Sequence, residues 1–160
     1  MNAVLPTTRR SLVELDERRV HMLADAQGRV LDVADHPRRR IDELVAAGER
    51  YDVVLSVVQI STATDAPAMC RALKSLLADD GELWFLEPTS VTGLAGAVQH
   101  ALGPWMRRTT GRRPDYDIPR ALRNAELTIT DCERFVVRAL WPYRSFVQGV
   151  ARQPFRRVDP

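Results

Sequence analysis

Residues 51–60 read YDVVLSVVQI, residues 61–81 read STATDAPAMCRALKSLLADDG, and residues 82–88 read ELWFLEP. The first segment is a nearly unbroken, valine-rich apolar run of strand length. Such a run suits a parallel strand buried on both faces. The second segment predicts a helix: Asp65 can cap it, Pro67 falls in its first turn, and Gly81 lies just past its end. Ala66, Met69, Leu73, Leu76 and Leu77 give it one apolar face. Glu82 to Leu86 is a second short apolar strand. Strand, helix and strand with tight joints make a βαβ crossover, whose strands are most simply parallel neighbours.

Length and composition fit this reading. The chain has 160 residues, 45% of them hydrophobic and 28% charged, as in a folded domain. One domain spanning 1–160 is expected, with residues 153–160 a frayed tail. No apolar stretch is long enough to cross a membrane, and the N-terminus lacks a secretory apolar region. Cys70 and Cys132 each sit in an apolar pattern with no second thiol or histidine at metal-ligand spacing. Both are expected in the core, in a reducing cytoplasm. Net charge is +2, and the arginines occur in small groups balanced by acids. With no aromatic side chains interleaved among them, a solvated surface is expected rather than a nucleic-acid site.

Tyr51 to Val54, Ser56, Thr62 to Asp65, Leu73 to Leu77, Asp80 to Leu83 and Phe85 to Glu87 form a pattern that resembles the class I S-adenosylmethionine-dependent methyltransferases. It is more narrowly similar to their compact branch acting on quinones, thiols and other small molecules. In that family this block is the fourth strand, the following helix and the fifth strand. Ile118 to Leu127 resembles the helix before the sixth strand, and Ser145 to Arg152 the last, antiparallel strand. The resemblance implies an α/β fold: a mostly parallel, Rossmann-like sheet flanked by helices, truncated at its N-terminal end. It also implies S-adenosylmethionine as cofactor and a small-molecule substrate.

The first 50 residues admit two registers. In the preferred one, Met1 to Pro6 is a remnant of the helix after the family's glycine-rich loop. Ser11 to Leu15 is then the second strand, Asp16 to Gln27 a helix with Val20, Leu23 and Ala24 inward, and Arg29 to Ala34 the third strand. The fit of SLVELDERRVHML (11–23) to the family's second strand and its acidic end favours this register. In the alternative, Ser11 to Glu14 forms a capping box on one longer helix with Leu12, Leu15, Arg19, Met22 and Ala26 on one face. Arg29 to Ala34 is then the first strand, and the strands normally beyond it are gone. Under the preferred register the edge of the Tyr51–Ile60 strand is left open. Either an N-terminal strand slides over to pair with it, or a homodimer or partner subunit covers it.

Neither register contains the glycine turn that lets backbone approach the cofactor closely. Asp35-His36-Pro37-Arg38-Arg39-Arg40 follows Ala34 instead, and Pro37 opens a helix through Ile41, Leu44 and Val45 to Gly48. The resemblance gives Glu14 the ribose-binding position in the preferred register, against a capping-box or surface glutamate. It gives Asp35 the adenine position, against a helix N-cap. Ser56 and Gln59 lie at the carboxyl end of their strand, where ligands bind in open α/β sheets. Glu87 and Pro88 end the next strand where the family binds substrate. His36 reads as a solvated loop residue rather than a base. No catalytic constellation stands out. Impaired cofactor binding is therefore expected, and a non-catalytic relic acting by association is the competing reading.

Overall fold

The computed structural model describes residues 6–90, 116–137 and 145–154, with side chains from residue 13, and the isolated helical positions Ala97, Ala101, Pro104 and Arg108. The sequence also predicts a helix over 90–102, a polar loop over 109–114 and a hairpin connection at 141–144, and these lie outside the described residues or nearly so.

The elements run α1 (Pro6–Asp25), β1 (Val30–Asp32), α2 (Arg38–Ala46), β2 (Tyr51–Val57), α3 (Gln59–Thr62), α4 (Ala66–Ser75), β3 (Leu77–Pro88), α5 (Ile118–Asn124), β4 (Thr128–Val136) and β5 (Ser145–Arg152). The strands form one five-stranded mixed sheet in the order β1-β2-β3-β5-β4. β1, β2 and β3 are parallel, and β5 lies antiparallel between β3 and β4.

The βαβ block forms as the residues require. Val54, Leu83 and Phe85 point to one face of the sheet and Leu55 and Leu86 to the other, all fully buried. Burial on both sides is why β2 carries no polar alternation. Asp65 accepts the Ala68 N–H at 2.9 Å and caps α4. The helix stops at Ser75, earlier than its glycine suggested, and Leu77 already pairs with Tyr51. Gly81 instead serves the irregular start of β3, where a Cβ would lie 2.8 Å from the Tyr51 carbonyl.

The larger core cluster joins α2, α4 and α5 to one face. On the opposite face, among the described residues, α1 alone supplies helical side chains: Leu15 and Met22 pack with Leu55, Leu86, Val137 and Phe146.

The preferred register for the first residues is overturned. Ser11 to Leu15 lies within α1, and Val30–Asp32 pairs directly with Val53–Leu55. Periodicity is the physical reason. A strand would send Val13 and Leu15 to one face, whereas here Leu15 is buried and Val13 is 53% exposed. Leu15 and Met22, two turns apart, make the buried stripe instead, and Val20 faces solvent. The strand thought to be missing beside β2 is therefore β1, and Val53–Leu55 has no open edge awaiting a second chain. Cys70 is buried as expected, but Cys132 is exposed on edge strand β4.

Candidate functional site at the carboxyl ends of the parallel strands

β1, β2 and β3 all deliver their carboxyl ends to one rim of the sheet, the place where open α/β sheets bind ligands. At the end of β1, Asp32 turns one carboxylate oxygen back to the Ala34 N–H at 2.9 Å. Its other oxygen accepts from Arg19 Nε at 2.7 Å, while Nη2 of the same guanidinium donates to Asp35, also at 2.7 Å. One arginine from α1 thus clamps a carboxylate at the end of β1 and another in the β1–α2 loop. The hydrogen bond from Arg19 and its charge hold the Asp35 carboxyl below its ordinary value, and the Asp35 bond raises the guanidinium's. Asp35 is not the cap of α2, whose N-cap is Pro37 with no side-chain bond.

At the end of β2 the chain turns sharply through Val58, a β-branched residue at φ 56°. This left-handed conformation is costly for valine and marks the joint as strained. Gln59 follows, and its side-chain amide donates to the Ala34 carbonyl at 2.7 Å, tying the β2 and β1 loops together.

At the end of β3, Glu87 is fully buried. One carboxylate oxygen accepts the Ser56 hydroxyl at 3.0 Å and the N–H groups of Gln59 at 2.9 Å and Ile60 at 3.0 Å. The other accepts the Ser61 N–H at 3.1 Å. These are the otherwise unpaired donors opening α3. Burial pushes the Glu87 carboxyl above its ordinary value, against the opposing pull of the Ile60 and Ser61 N–H groups and the Ser56 hydroxyl. Burial, reinforced by the Glu87 charge, lifts the nearby Cys70 thiol to about 12.

The expected residues divide into groups. Ser56, Gln59 and Glu87 come together, and Gln59 links them through Ala34 to the Asp35 loop. Pro88 is buried and pairs with Phe146. Glu14 does not stand at a strand end: it sits on α1, 4.0 Å from Arg18, on the flank that faces Gln148 and Glu133. Its expected ribose-binding place fell with the register that supplied it. Asp32 and Arg19 were missed. The one available signal for Asp32 was an acid inside the apolar run RVLDVA. His36 is half-buried, and its Nδ1 has no hydrogen-bond partner among the described residues. No group of His, Cys, Asp and Glu among the described residues could hold a metal ion.

Sheet order, helix placement and the common rim define a methyltransferase-type Rossmann-like fold, as comparison with solved structures shows. A candidate methyltransferase of Bacillus halodurans C-125 superposes with a TM-score of 0.56 at 10% identity, over 86% of this chain and 98% of that one. An S-adenosylmethionine-dependent methyltransferase of Thermotoga maritima, described as a candidate histamine N-methyltransferase, gives 0.59 at 12% identity, over 90% and 89%. A pericyclic-reaction enzyme gives 0.55 at 8% identity, over 90% of this chain and 41% of its own. No protein-family profile matches the sequence, and no curated protein matches it.

The residues at the rim do not fit S-adenosylmethionine as they stand. Every residue from Ala34 to Pro37 carries a Cβ. The loop's Ala34 carbonyl is taken by Gln59, and Arg19 holds one carboxylate oxygen of Asp35 and one of Asp32 at the end of β1.

Proposed function

We propose that this chain is a methyltransferase-like protein that takes a small molecule at the rim of its parallel strands, with impaired binding of S-adenosylmethionine. The observation that carries this reading is the loop after β1. In the family that the chain resembles such a loop meets the nucleoside cofactor, yet here Asp32, Asp35 and the Ala34 carbonyl already have partners within the protein. Asp35 and Gln59 are the residues assigned to meet the cofactor. Ser56 and Glu87 act beneath them by fixing α3, and Pro88 bounds the substrate side. The strained Val58 supports this placement, because such backbone is retained where a site needs it. The cytoplasm is the compartment assigned, consistent with two free cysteines.

Titration calorimetry with S-adenosylhomocysteine tests the reading. The expected result is saturable binding with a Kd weaker than about 100 μM. Asp35→Ala and Gln59→Ala, each still folded, should change that affinity, whereas Glu14→Ala should not. Absence of heat at millimolar ligand would remove the methyltransferase reading for this chain.

A further inference from the structure

We infer that Arg19 determines what the rim site admits: its guanidinium holds one carboxylate oxygen of Asp32 and one of Asp35, to which a ligand's own donors would otherwise bond. The inference rests on the proposed function above and adds the residue that impairs it. The two bonds run from different nitrogens of one guanidinium, so a single side chain engages both acids. Ionised carboxylates only accept hydrogen bonds. A ligand suited to these two must therefore bring donors: hydroxyls, an exocyclic amine or an ammonium group. S-adenosyl nucleosides carry all three.

Geometry makes Arg19 a removable occupant. It comes from α1, outside the β1–α2 loop, and its backbone is held independently by Leu15 and Met22. The Asp35 side chain is 80% exposed, which gives an incoming molecule a way in. Asp32 is only 17% exposed, so its carboxylate needs a donor whenever Arg19 leaves. A ligand that fills this need competes directly with the arginine.

The experiment compares S-adenosylhomocysteine binding by the full chain and by Arg19→Gln, Arg19→Lys and the double variant Arg19→Gln with Asp35→Asn. Circular dichroism checks the fold of each. Arg19→Gln, neutral and too short to span both acids, should bind at least about tenfold tighter than the parent. Arg19→Lys, with one point charge in place of a fork, should gain less. The double variant should lose much of the gain. Folded Arg19 variants that bind no tighter than a weakly binding parent would overturn the inference and leave the proposed function standing. No binding by any of them would remove both. Should Arg19→Gln fail to fold, Arg19→Lys and the Arg19 Nε–H resonance of the parent decide instead. A resonance unmoved at saturating S-adenosylhomocysteine would overturn the inference.

Discussion

A carboxylate taken out of water carries a desolvation cost, and Glu87 meets it with four hydrogen bonds from Ser56, Gln59, Ile60 and Ser61. Glu87→Ala removes the acceptor from all four donors at once. The expected cost is about 3 kcal/mol, read from urea unfolding at neutral pH. The same residue gives a pH signature with a definite sign. Burial raises the folded-state value above the ordinary 4.5, so the native state holds this proton where the unfolded chain has released it. Its contribution is fully present below that ordinary value and is lost as pH rises through the folded one. The stability of the parent relative to Glu87→Gln should therefore fall as pH is raised above about 4.5. A difference that stays flat or rises with pH would contradict this burial-driven shift.

At the scale of elements, the β4–β5 pairing depends on one missing side chain. The register slips between Ile129 and Asp131, and the bulge brings the Asp131 carbonyl over Gly149. A Cβ there would lie 2.2 Å from that oxygen and 2.7 Å from the Phe85 ring. Gly149→Ala should cost about 3 kcal/mol and lower the melting temperature, because backbone and a core ring must both shift. A melting temperature unchanged within a degree would contradict the packing described.

Legibility in the sequence also varies by element. β2, α4 and β3 could be read because parallel strands buried on both faces become apolar runs, and Asp65 is a cap with a local partner. Thr128 to Val136 alternates imperfectly, and the break falls at the Asp131 bulge. Ser11 to Leu15 was not decidable by pattern, since Leu and Val at those spacings satisfy a short strand as well as a helix. Only the docking of Leu15 and Met22 on Leu55 and Leu86 separates the two. Within the site, Ser56, Gln59 and Glu87 were legible as polar residues ending apolar runs. The Arg19 clamp was not, because an ion pair between a helix and a distant loop leaves no periodic trace.

Across the molecule, the described residues cover the two faces of the sheet unequally. α2, α4 and α5 share the larger cluster, while α1 contributes Leu15 and Met22 to a smaller one. Regions with fewer buried apolar contacts open at lower free energy. Native-state hydrogen exchange should show amides from Leu15 to Leu23 exchanging through a partial opening. Those of Val53 to Leu55 and Leu83 to Leu86 should exchange only with global unfolding. Equal protection in both sets would mean that α1 and the sheet open together.

The strand order β1-β2-β3-β5-β4 also bears on how the chain is made. Synthesis delivers β4 before β5, yet β5 is what joins β4 to the rest of the sheet. β1, β2 and β3 leave the ribosome first, although a domain generally folds as a unit. β4 must then wait, without its sheet partner, for residues 145–152 to emerge. Its composition tolerates the delay, because Thr128, Thr130, Asp131, Glu133 and Arg134 are all solvent-facing in the finished protein. A ribosome stalled before Ser145 would hold a nascent chain with all three parallel strands made and a polar strand that has nothing to pair with.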